Sequence, residues 1–143
     1  MTIRSNWLLA GGCLSLSAAV LHLACIAGGP RWYRFLGAGE GMARAAERGE
    51  LRPALLTAGI AALLAAWAAY AFSGAGVIER LPLLRVGLVV ISATYLLRGM
   101  VLFMPSLLSR PDLTASFLLW SSLVVLVIGL IHVIGTWRAW QFL

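Results

Sequence analysis

Residues 114–137 read TASFLLWSSLVVLVIGLIHVIGTW, a run with no charged side chain. At ~1.5 Å of rise per helical residue, a helix of this length exceeds the ~30 Å hydrocarbon layer of a bilayer. Three other stretches are comparably long and apolar, the last of them carrying Arg85 and Arg98. One covers 7–27 and stops at Gly28-Gly29-Pro30, a strong helix terminator. A second covers 53–72, with Pro53 suited to a first helical turn and Ser73-Gly74-Ala75-Gly76 behind it. The third covers 82–103 and ends before Met104-Pro105. The short links make neighbouring spans antiparallel. The expected architecture is all-α: a polytopic membrane protein forming an antiparallel four-transmembrane-helix bundle, one embedded unit over residues 1–143.

Composition agrees. Of 143 residues, 62% are hydrophobic and 11% charged, and the mean hydropathy is +0.95, which excludes an ordinary water-soluble domain. All 11 basic residues are Arg in a chain rich in Ala, Gly and Leu. This is the composition of a GC-rich bacterial genome and points to the bacterial inner membrane. The run from Trp7 exceeds a signal-peptide core of 7–15 residues, so it is expected to stay as a span. The net charge of +6 is not read as nucleic-acid binding, because five arginines fall between Arg31 and Arg52 at a span end, where anionic headgroups are nearer. Cys13 and Cys25, twelve residues apart on one helix, are too distant to bond with each other.

The N-terminus, the 73–81 turn and the C-terminus share one side of the bundle, side A, and loops 28–52 and 104–113 share side B. Trp7, Trp137 and Trp140 belong to the side A interface, and Trp32, Tyr33 and Phe35 to side B. Arg31, Arg34, Arg44, Arg48, Arg52 and Arg110 outnumber Arg4, Arg80 and Arg138, which places side B in the cytoplasm by the positive-inside rule. Within loop 28–52, a helical pattern over about 40–48 follows Gly37-Ala38-Gly39-Glu40-Gly41. It implies a short amphipathic or re-entrant helix on the side B face.

Polar residues fall on stripes. Gly11, Ser15, Ala18 and His22 share a face of span 1, Arg85, Ser92, Tyr95 and Gly99 one of span 3, and Ser122, Gly129, His132 and Thr136 one of span 4. Counting rise along each span places His22 and Arg98 at nearly one level toward side B, with Tyr95 one turn deeper in the same layer. Arg85, His132, Tyr70 and Asn6 form a second polar layer near side A. The two histidines lie roughly 20 Å apart in depth, so neither a shared metal nor a haem is expected, and no cofactor is implied. Span 2 carries Ala54, Ala58, Ala62 and Ala66 beside Gly59, and a second row of Ala61, Ala65 and Ala69, small-residue rows expected to pack inside the monomer, with a homodimer seam as the alternative.

Arg98 inside a span needs a partner, a watery cavity or a path by which to snorkel to the headgroups. Glu40, flanked by glycines, is the candidate partner. These residues describe a polar vestibule on side B that binds a membrane lipid or an amphipathic or anionic small molecule. Tyr95, Arg98, Arg31, Trp32, Tyr33 and Arg34 are the ligand-binding candidates. A membrane-embedded enzyme acting on a lipid-like substrate is the first alternative, with His22 and Glu40 as its catalytic acid/base pair. A small transporter or proton-coupled channel and an assembly partner of another membrane protein complete the set.

Overall fold

The computed structural model describes residues 5–104 and 115–143; loop 104–113 beyond Met104, Arg4, Arg110 and the start of span 4 at Thr114 lie outside them. Of the described residues 82% are helical and none is in a strand. The elements are α1 (Asn6–Gly28), α2 (Pro30–Phe35), α3 (Glu40–Glu47), α4 (Arg52–Ala75), α5 (Leu84–Gly99), a 3-10 turn (Met100–Phe103) and α6 (Ala115–Ala139). Local chemistry sets their limits. Ser5 caps α1 by accepting the Leu8 amide at 3.2 Å, and Gly29, at φ 66°, turns the chain into Pro30 at the start of α2. Gly76, in the left-handed region at φ 79°, ends α4.

Among the described residues three helices, not four, are long and apolar enough to cross a membrane: α1, α4 and α6. The stretch 82–103 was expected as one continuous span, but it divides. Leu83 adopts a left-handed conformation at φ 52° and delays the helix until Leu84. After Gly99 the backbone tightens into the 3-10 turn, before Met104 meets Pro105. The 16 residues of α5 rise about 24 Å, short of the hydrocarbon thickness. The helix expected over about 40–48 is α3. The preceding α2 was not anticipated, although Pro30 after two glycines marks its first position.

The long helices neighbour one another in the order α1, α4, α5, α6 and back to α1. Their ends confirm antiparallel packing. Leu8 of α1, Ala75 of α4, Leu84 and Leu88 of α5, Ala139 of α6 and Leu143 form one buried cluster at side A. Ala19, Leu64, Ile91, Tyr95 and Ile128 fill the middle, and Cys25, Tyr33 and Ala43 join α1, α2 and α3 at side B. Both cysteines are free. The outer surface is apolar: Val20, Leu55, Val90, Val124 and Leu130 are among many exposed aliphatic residues, as a lipid-facing surface requires.

In α4 the inward face differs from the one expected. Thr57, Ala61, Leu64, Ala68, Ala71 and Ala75 are buried, alternating steps of four and three. The row of Ala54, Ala58, Ala62 and Ala66 faces outward, with Ala62, Ala66 and Gly59 exposed. Small residues occur on both faces, and periodicity cannot tell which one meets a neighbour.

Close approach holds α5 to α6. A Cβ on Gly99 would stand 2.7 Å from Leu126 Cα, whereas one on Gly59 would meet nothing within 4 Å. Gly99→Ala is therefore expected to destabilise the protein by about 1–3 kcal/mol through overpacking. Gly59→Ala is expected to be neutral or stabilising by up to about 1 kcal/mol through helix propensity. Thermal unfolding of both variants in detergent checks the contrast.

Candidate functional site

The bundle interior holds a polar cluster drawn from three helices. The Ser15 and Tyr95 hydroxyls are 2.8 Å apart. Tyr95 packs its ring 5.0 Å from Trp67, edge to face, and 5.1 Å from His132. His132 is wholly buried, and its Nδ1 donates to the Ile128 carbonyl at 2.9 Å. A carbonyl oxygen can only accept, so Nδ1 carries the hydrogen and Nε2 presents a lone pair. His132 Nε2 and Thr136 Oγ1 are buried with no hydrogen-bond partner. Gly11 lies against the imidazole: a Cβ there would be 2.8 Å from Cε1.

This arrangement moves Tyr95 out of the layer assigned to it with His22 and Arg98. Side chains in a helix lean toward its N-terminus. Tyr95 leans toward side A on α5 and His132 toward side B on the antiparallel α6, so the two meet. His22 lies eleven residues beyond Gly11, about 16 Å along α1. It is half-buried, and its Nδ1 donates to the Ala18 carbonyl of its own helix at 2.7 Å. Arg98 is exposed and donates from Nη1 to the buried hydroxyl of Ser122 at 3.1 Å. Tyr70 and Arg85 lie at the side A loop, where Tyr70 donates to Pro82 O at 3.2 Å and Arg85 to Leu143 O at 2.9 Å. Asn6 is exposed.

Glu40 is not the partner of Arg98. Arg34 grips its carboxylate with two bonds of 2.9 and 3.0 Å, and Arg44 adds a third at 3.1 Å. Arg34 also reaches Glu47 at 2.8 Å. The hydrogen bonds from Arg34 and Arg44 lower the Glu40 pKa to about 2, and those that Arg34 donates to Glu40 and Glu47 raise its own. A carboxylate so held is a poor proton acceptor near neutral pH. Its bonds tie α2 to α3 across Gly37 and Gly39, both at positive φ. The remaining acid in the segment, Glu50, bonds Arg48 at 2.6 Å.

Three of the five arginines between 31 and 52 are thereby neutralised within the segment. Arg31 is exposed and, among the described residues, makes no ion pair. It lines an open groove of about 450 Å³ together with Gly28, Trp32 and Phe35. Trp32 lies directly over Gly28, where a Cβ would collide with the indole. Trp32 and Phe35 are exposed at the rim. Tyr33 instead turns inward against Cys25 and Ala43, with its hydroxyl buried and unpartnered. The alternation of acids and arginines in the sequence was the available signal that most of this charge is paired.

Because Glu40 has its pKa depressed by folding, its contribution is present above the ordinary carboxylate value of 4.5 and is lost as pH falls toward about 2. Trp32 fluorescence, read against the other tryptophans through Trp32→Phe, should hold steady down to about pH 4.5 and change below it. Glu40→Gln should produce that change at neutral pH. Comparison with known proteins finds no matching family model, no matching curated protein and no matching solved structure.

Proposed function

We propose that this is a small bacterial inner-membrane protein that binds an anionic lipid or amphiphile at side B. The observation that carries the reading is the groove of Gly28, Arg31, Trp32 and Phe35. It offers a guanidinium with no competing carboxylate beside exposed aromatic rings. Guanidinium is weakly hydrated and well matched to phosphate oxygens, and Trp at a membrane boundary places its ring at headgroup depth. In this reading α5 and its 3-10 extension form the fourth crossing, their combined rise of about 32 Å matching the hydrocarbon layer. Side B faces the cytoplasm, because the positive-inside rule counts basic residues rather than net charge.

The rival readings draw less support. The enzyme reading pairs His22 with Glu40 as acid and base, and Glu40 is held ionised by two arginines on the α2–α3 segment. A transport path must pass the middle of the bundle, where a Cβ on Gly129 would already stand 3.1 Å from the Leu96 amide nitrogen.

Arg31→Gln should weaken binding of dioleoylphosphatidylglycerol about fivefold, on the scale of ~1 kcal/mol per surface arginine. Arg48→Gln, removing a paired charge, should have less effect. Lipid titration of the detergent-solubilised protein by native mass spectrometry measures both, and equal effects of the two variants would overturn the reading.

A second reading, self-association, is favoured by the outward row of Ala58, Ala62 and Ala66 and the open space beside Gly59. Such rows let helices approach closely in lipid. Labelled protein in vesicles should bleach in two steps, and Ala62→Ile should reduce this to one; single-step bleaching of the parent chain would refute the seam.

A further inference from the structure

The α4–α5 loop at side A also forms a groove, of about 460 Å³, lined by Arg80, Leu81, Pro82, Leu83, Leu84, Arg85 and Val86. Two positive charges stand at its edge, and the rest of the lining is apolar. Arg80 is exposed and makes no ion pair among the described residues. Arg85 is positioned by the backbone oxygens of Leu143, at 2.9 Å, and Trp140, at 3.4 Å, and lies 5.3 Å from the centre of the Trp140 ring. Those contacts orient the guanidinium at the side A end of the bundle. Glu79, the nearest acid in the chain, does not line the groove.

The loop is held in place by its neighbours. Ser73 donates to Glu79 O at 2.8 Å and accepts from the Leu81 amide at 2.9 Å, while Tyr70 bonds Pro82 O. Leu83 stands on this fixed loop with 77% of its surface exposed. A large aliphatic side chain held outward beside two arginines matches an amphiphile that joins a phosphate to a hydrocarbon chain.

We propose that this groove is a second anionic-lipid site, at the opposite end of the bundle from Arg31. Arg80 and Arg85 take the phosphate of a phospholipid, and Leu83 and Val86 lie along its acyl chain. The site stands on its own residues and does not depend on the side B reading.

The test is native mass spectrometry of the full chain in detergent, titrated with dioleoylphosphatidylglycerol and, separately, dioleoylphosphatidylcholine. The expected result is two retained phosphatidylglycerol molecules and weaker retention of phosphatidylcholine. Arg80→Gln should weaken one of the two about fivefold. Leu83→Gly should weaken the same molecule while leaving the melting temperature unchanged or higher, since glycine relieves the left-handed backbone. Arg31→Gln should affect only the other molecule. Retention of both lipids at parental affinity in Arg80→Gln and Leu83→Gly would overturn the second site, whatever Arg31→Gln does. Excess inorganic phosphate should leave the lipid count unaltered; displacement by phosphate alone would overturn a lipid as the occupant.

Discussion

Helices in lipid gain little by hiding apolar surface from one another, because the acyl chains around them are equally apolar. The bundle therefore depends on close approach, and its glycines set where that happens. Gly99 brings α5 onto the backbone of α6, and Gly11 opens α1 to the imidazole of His132. Leu8 occupies the corresponding gap at side A, within 3 Å of where Cβ atoms on Gly74 and Gly135 would stand. These contacts fix the relative rotation of α1, α4, α5 and α6. That rotation decides which polar groups meet inside.

What meets inside is sparse and mostly satisfied. Ser15, Tyr95 and His132 join three helices at mid-depth, and Trp67 closes the cluster from the fourth. Burying hydroxyl and imidazole groups in an apolar bundle is costly without partners, so the hydrogen bond between Ser15 and Tyr95, which joins α1 to α5, helps to specify one arrangement of the helices, while His132 satisfies its Nδ1 within α6. The two arginines in α5 avoid the interior, Arg98 by reaching Ser122 from the surface and Arg85 by lying against backbone oxygens at the side A end.

Charge outside the bundle is organised by pairing. A count of residues treats the stretch from Arg31 to Arg52 as a basic patch, yet Glu40, Glu47 and Glu50 bind Arg34, Arg44 and Arg48. Among the described residues of that stretch, Arg31 and Arg52 are left without an ion pair, and of the two it is Arg31 that stands next to Trp32 in a groove. At the other end Arg80 stands on a loop clasped by Ser73 and Tyr70, and Arg85 follows in the first turn of α5.

The sequence by itself determined that the chain is helical and membrane-embedded, where α1, α4 and α6 begin and end to within a few residues, and that a short helix follows Gly39. Those features are local: hydropathy over some twenty residues, glycine and proline at the breaks, and a period of 3.6. Inward stripes on α1 and α6 were legible for the same reason, since each carries one polar face. Only the tertiary structure decided the rest. It turned the Ala58–Ala66 row outward, because α4 has small residues on both faces and contact with α1 selects one of them. It gave Tyr95 to His132 rather than to His22, because opposed helix directions tilt those side chains toward each other. It gave Glu40 to Arg34, because the turn at Gly37 and Gly39 folds α3 back beside α2.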